Sequence, residues 1–95
     1  MCIRDRYERA IQDYDEAIRL NPQYAKAYFG RGVVYGKLGR YERAIQDYDE
    51  AIRLNPQFAT AYYARGFAHQ KLGRMARANQ DFEEAIRINP NLKRP

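Results

Sequence analysis

Eighteen residues, Tyr7 to Tyr24 (YERAIQDYDEAIRLNPQY), return at residues 41–58 with a single difference, Tyr24 against Phe58, at an offset of 34 residues. A third copy begins at the same offset, Met75 to Leu92 (MARANQDFEEAIRINPNL). The intervening segments match as well: AKAYFGRGVVYGKLGR (25–40) against ATAYYARGFAHQKLGR (59–74). A period of this length without slippage implies a stack of like units, each burying its apolar face against the next.

Each unit divides into two helices. Over 25–38 one stripe holds Tyr28, Gly32 and Tyr35, and another holds Ala27, Arg31, Val34 and Leu38, both at helical spacing. Gly39 supplies a left-handed stop. Over 41–54 the apolar set is Tyr41, Ala44, Ile45, Tyr48, Ala51 and Ile52. Asn55-Pro56 ends that helix, because a residue before proline is pushed out of the helical region. Gly32 with Ala44, and Gly66 with Ala78, place small residues at the middle of facing helices. Five helices are expected, near 6–20, 25–38, 41–54, 59–72 and 75–88.

The period and the set Gly32, Tyr35, Ala44, Tyr48, Ala51 and Pro56 resemble the tetratricopeptide repeat, over residues 7–92. The departures are Tyr28 and Tyr62, where that family often has Trp, and His69 in the place of Tyr35. The resemblance implies an all-α, right-handed α-solenoid of antiparallel helix pairs. It would hold about two and a half repeats: 7–24 the second helix of repeat 1, 25–58 repeat 2, 59–92 repeat 3, and a tail at 93–95. In the last helix Asn79 replaces Ile11 and Ile45, as expected of a terminal, capping copy.

Residues 1–6 stand apart. Met-Cys-Ile-Arg-Asp matches the translation of a transposase adapter used in library preparation, so 1–6 are read as a non-native scar and excluded from fold reasoning. On that expectation the natural chain starts earlier, and the partner helix of repeat 1 lies in the missing part.

Composition narrows the function. The 95 residues contain no Ser, one Thr (Thr60), one His (His69) and one Cys (Cys2). No nucleophile has a base beside it, no ligand set has metal spacing, and no glycine-rich loop follows a strand. The expectation is a non-catalytic chain with no cofactor and no metal. A lone His in the Tyr35 slot reads as a packing residue. No apolar run is long enough to span a membrane.

Charge is segregated by helix. Residues 25–38 carry Lys26, Arg31 and Lys37 with no acid, and 59–72 carry Arg65 and Lys71 with no acid, whereas 41–54 has four acids against two arginines. The paired acids Asp15-Glu16, Asp49-Glu50 and Glu83-Glu84 lie one turn from Arg19, Arg53 and Arg87 and read as a solvated face. Arg31 and Arg65, like Asp13, Asp47 and Asp81, sit on apolar stripes, where an unpaired charge is costly. They are expected to form structural ion pairs across neighbouring repeats, Arg31 with Asp13 and Arg65 with Asp47. Pairing within a repeat, Arg31 with Asp47 and Arg65 with Asp81, is the alternative.

In the family resembled, first helices line the concave face, which here would be cationic. Removing core positions leaves Lys26, Phe29, Gly30, Val33, Lys37, Thr60, Tyr63, Ala64, Phe67, Gln70 and Lys71, the composition of a peptide-binding groove. The competing reading has Phe29 and Phe67 finishing the packing between repeats. Family members that grip a C-terminal dicarboxylate use Lys and Asn at inner positions that here hold Phe29, Gly30, Val33 and Tyr63, so that clamp is not expected. The expected function is a protein-interaction scaffold binding a peptide or helix, acidic and apolar, in its concave groove. The alternatives are a basic helical-repeat nucleic-acid binder, favoured by a pI near 9.5, and an enzyme accessory domain. Compartment and oligomeric state stay open.

Overall fold

The structure, a computed structural model, describes residues 3–95. Five helices follow one another: α1 (Ile3–Leu20), α2 (Ala25–Lys37), α3 (Tyr41–Leu54), α4 (Ala59–Lys71) and α5 (Met75–Ile88), with no strand among the described residues. Their bounds follow the periodicity to within a residue, except that α1 runs back to Ile3 through part of the segment set aside as a scar. Met1 and Cys2 lie outside the described residues.

The turns follow from the sequence. Gly39 and Gly73 close α2 and α4 at φ +78° and +79°. The Arg40 N–H reaches the Tyr35 carbonyl at 2.9 Å and the Gly39 N–H reaches Gly36 at 3.0 Å, so the glycine lets the last turn of α2 satisfy its own carbonyls. At the other turn Asn55 is extended, with φ −141°, and its side-chain oxygen accepts from the Gln57 N–H at 3.2 Å. Asn21 and Asn89 repeat that bond.

Consecutive helices pack as antiparallel pairs, α2 on α3 and α4 on α5, with α3 on α4 and α1 on α2 joining the pairs. The core is made of small residues: Ala44, Ala51, Ala61, Ala78 and Ala85 are completely buried. Close approach is the rule at Gly32 and Gly66. A Cβ on Gly32 would stand 2.7 Å from the Tyr48 ring and 3.1 Å from the Ala44 carbonyl oxygen, and one on Gly66 would stand 2.6 Å from the Phe82 ring. Asn79 is exposed, whereas Ile11 and Ile45 at the same repeat position are buried.

Two glycines of α2 should therefore respond oppositely. Gly32→Ala overpacks the α2–α3 contact and should cost about 1–3 kcal/mol. Gly36, whose added Cβ would meet only the Tyr48 hydroxyl at 3.8 Å, should gain about 0.5–1 kcal/mol as Ala from helix propensity. Urea titration of the two variants checks the difference in sign.

Candidate functional site

The first helices α2 and α4 lie side by side and form one wall of the stack. Two hollows open along it. One of about 370 Å³ is lined by Val33, Gly36, Lys37, Tyr41, Tyr48, Ala64, Phe67, Ala68 and Lys71. The other, of about 490 Å³, is lined by Tyr14, Lys26, Phe29, Gly30, Val33, Val34, Lys37 and Phe58. They share Val33 and Lys37, so together they make a continuous trough with an aromatic and aliphatic floor. Lys26, Lys37 and Lys71 are exposed along it.

Eight of the sequence-derived groove residues line these hollows: Lys26, Phe29, Gly30, Val33, Lys37, Ala64, Phe67 and Lys71. Thr60, Tyr63 and Gln70 do not. The sequence reading missed Tyr14, Tyr41, Tyr48 and Phe58; of these it gave Tyr41 and Tyr48 to the core, and both also line the trough. It also treated the inner aromatics as unneeded by the packing within a repeat, and the structure corrects this. Phe29 packs at 5.1 Å from Phe58 and 5.8 Å from Tyr48, ring centre to ring centre. Tyr63 packs at 5.5 Å from Phe82 and donates its hydroxyl proton to the Lys93 carbonyl. Phe67 also touches Phe82 and Tyr63, yet keeps 38% of its surface exposed. Of Phe29, Tyr63 and Phe67 it is the most exposed.

Behind the trough, one arginine per repeat ties three helices. Arg31 donates to both carboxylate oxygens of Asp47 on α3, at 3.0 and 2.7 Å, and to Asp15 on α1 at 2.8 Å. Arg65 repeats the pattern with Asp81 at 3.0 and 2.8 Å and with Asp49 at 2.8 Å. Pairing is thus bidentate within a repeat, and the cross-repeat partners are Asp15 and Asp49, not Asp13 and Asp47. The reason is angular: at ~100° per residue, positions two apart lie on opposite sides of a helix. Asp47 faces its own hairpin while Asp49 faces the next. Asp13 is exposed and has no ion pair among the described residues.

The Asp47 hydrogen bonds hold the Arg31 guanidinium firmly protonated against the cost of burial. Around Arg65 burial disfavours the charge, and the bonds to Asp81 and Asp49 outweigh it. Burial, helped by the charge of Asp47, pushes the Tyr48 phenol up to about 12. Tyr28 and Tyr62 lie under the two arginines, with the guanidinium carbons 5.6 and 5.4 Å from the ring centres. The glutamates behave as the solvated-face reading expected, Glu16 with Arg19, Glu50 with Arg53 and Glu84 with Arg87, but Asp15 and Asp49 leave that face to reach the arginines.

His69 is buried in the slot that Tyr35 fills one repeat earlier. Its Nε2 stands 3.9 Å from an Asp81 carboxylate oxygen, and its buried Nδ1 has no hydrogen-bond partner. Burial lowers its pKa. Asp81 opposes that shift, while Arg65, Arg74 and Arg77 reinforce it.

Stacked antiparallel helix pairs, repeated along the chain, define a helical-repeat protein of the interaction-scaffold class. Sequence models of the family described as TPR repeat match residues 2–39 and 37–73, and that described as Tetratricopeptide repeat matches 59–92, so the chain belongs to the tetratricopeptide repeat family. No curated protein matches it significantly. Among solved structures it is similar to MamA, at 34% identity and TM-score 0.86 over 90% of this chain and 50% of that one. The second TPR of Spaghetti (RPAP3), bound to the HSP90 peptide SRMEEVD, gives 35% identity and TM-score 0.85 over 87% of this chain and 77% of that one. The Arabidopsis OM64 TPR domain gives 31% and 0.90 over 94% and 74%. The chain thus spans half the length of MamA.

Two outcomes follow from the buried charges. Asp47→Ala leaves Arg31 partly buried with only an exposed partner and should cost about 3–5 kcal/mol, whereas Asp15→Ala should cost under about 1 kcal/mol; thermal melts compare them. His69 binds its proton less readily folded than unfolded. Stability should therefore be full above pH ~6.5 and decline as the pH falls below it, down to the lowered native pKa. Melting temperatures between pH 7.5 and 5 should show this decline, and His69→Tyr should flatten it.

Proposed function

We propose that the chain is a non-catalytic peptide-binding scaffold whose trough on α2 and α4 takes an acidic segment with apolar side chains. The observation that carries this reading is the coincidence of an apolar floor (Val33, Ala64, Phe67) with exposed lysines (Lys26, Lys37, Lys71) on two helices that hold no acid. Apolar side chains of the ligand would displace water from the hollows, and its carboxylates would meet the lysines at the rim. Buried apolar contact sets the dissociation rate, while rim charges act on encounter.

The solved relative bound to SRMEEVD supports peptide capture in general, since its fold superimposes on this one. The mode differs. The inner positions that would carry a carboxylate clamp hold Phe29, Gly30, Val33 and Tyr63, so affinity here rests on apolar burial steered by lysines.

The test is selection of peptides from a library on the whole chain. Selected sequences should be acidic with apolar anchors. Phe67→Ala should raise the dissociation rate about tenfold or more. Lys37→Glu with Lys71→Glu should slow association and flatten its dependence on salt. Basic or neutral peptides, or unchanged binding by both variants, would reject the proposal. Binding to random RNA with a steep salt dependence would replace it with the nucleic-acid reading.

A further inference from the structure

Repeats 2 and 3 treat the same buried carboxylate differently. In repeat 2, Asp47 takes two bonds from Arg31 and a third from Arg43 at 3.0 Å. The Arg43 guanidinium also lies over the Tyr35 ring, 4.7 Å from its centre. In repeat 3 the counterparts are Asp81, Arg65, Arg77 and His69. Arg65 keeps both bonds to Asp81, but Arg77 is exposed and has no ion pair among the described residues. The histidine ring stands by Asp81 instead, its Nε2 3.9 Å away and beyond hydrogen-bond reach. A permanent third cation on the carboxylate has been exchanged for a side chain whose charge depends on pH.

The slot suits a neutral ring only. His69 is 7% exposed, and its buried Nδ1 has no partner. Protonation would place N–H donors on both nitrogens, and the one at Nδ1 would be buried without an acceptor. The charged groups acting on the ring are Asp81 and Arg77 on α5, Arg65 on α4, Arg74 in the turn between them and Glu42 on α3; none of them comes from α2. Both carboxylates are already engaged, Asp81 by Arg65 and Glu42 by two bonds from Arg74. The residue is also tied to its surroundings. Its carbonyl accepts from the Leu72 and Arg74 N–H groups at 3.1 and 2.8 Å, which closes α4 and aims the chain into α5. On the same helix Phe67, Ala68 and Lys71 line the trough, and the Phe67 ring rests on Phe82 of α5 at 5.2 Å between centres.

We infer that His69 is an acid-sensitive latch on the α4–α5 hairpin: its protonation expels the ring from the slot, parts α4 from α5 and withdraws the α4 wall from the trough. The latch stands on the contacts of repeat 3 alone, while its effect on binding rests on the trough reading given above. The opening is local. Repeat 2 holds no histidine, and in a stack each repeat is supported only by its neighbours, so one hairpin can open while the next stays closed. The scaffold would thus hold its ligand near neutral pH and release it in mildly acidic surroundings.

The test is amide hydrogen exchange of the whole chain without ligand, between pH 7.5 and pH 5.5, corrected for the intrinsic rate. Protection at Phe67, Ala68, Phe82 and Ala85 should fall severalfold, with a ceiling of about tenfold per pH unit because one proton is taken up. At Val34, Ala44 and Ala51 on α2 and α3 it should hold. His69→Tyr, which gives repeat 3 the residue of repeat 2, should remove the fall; His69→Gln is a second neutral replacement in case the phenol does not fit. The tightest peptide from the library selection above keeps its carboxylates ionised at pH 5.5, since their ordinary pKa is about 4. It should bind the parent about threefold or more weakly at pH 5.5 than at pH 7.5, and the variant equally at both. The inference is overturned by unchanged protection, by equal loss over all the helices, by a fall that persists in both variants, or by a peptide affinity for the parent that ignores pH. A selection that returns no acidic peptide rejects the trough reading instead, and the exchange data still decide the latch.

Discussion

One guanidinium per first helix, with carboxylates on both neighbouring second helices, is the contact around which the stack is arranged. Arg31 and Arg65 lie where the apolar stripes of their helices run into the interior, so each must be neutralised there. Asp47 and Asp81 do so with paired hydrogen bonds inside the hairpin, and Asp15 and Asp49 add a third bond from the hairpin before it. This sets the register of α2 against α3, because a slide of either helix would break a bidentate pair. The glycine beside each arginine has to fall where it does for the same reason. With Gly32 over Tyr48 and Gly66 over Phe82, backbone approach and charge pairing are satisfied by one placement of the helix.

The trough is a by-product of that placement. Once Arg31 and Arg65 point back toward the acidic second helices, the opposite side of α2 and α4 is left with Val33, Ala64, Phe67 and the lysines. The cations that remain on that side have no acid on their own helices. Charge segregation follows from the pairing, since the acids of α1 and α3 are drawn to the arginines or to Arg19 and Arg53.

The helices, their turns and their order were legible because each rests on local rules: period, glycine at a left-handed position, Asn-Pro after the last helical turn. The trough was legible only in part. Subtracting core stripes from a helix assumes that a side chain serves one role, and Phe29, Tyr41 and Tyr48 each serve two. Their rings are long enough to seal the helix pair with one edge and floor the trough with the other. The ion pairs were misassigned across repeats because Asp13, Asp47 and Asp81 were followed as one column, while Asp15 and Asp49, two positions on, were placed with the solvated acids. The clue was the Asp-x-Asp spacing itself, since two residues turn a helix half-way round. Asp13 was grouped with its buried counterparts by sequence, but it has no arginine opposite it among the described residues.

The three bonds of each arginine are not equal. Asp47 is sealed inside its hairpin, whereas the Asp15 side chain keeps about half of its surface in water, as does Asp49. Dissolved ions screen the exposed bonds far more than the buried ones. Raising the ionic strength therefore weakens the ion pair between one hairpin and the next more than the pair within each hairpin. The charge pairing of the stack is therefore graded, with salt-resistant pairs inside each hairpin and a salt-sensitive one at each joint.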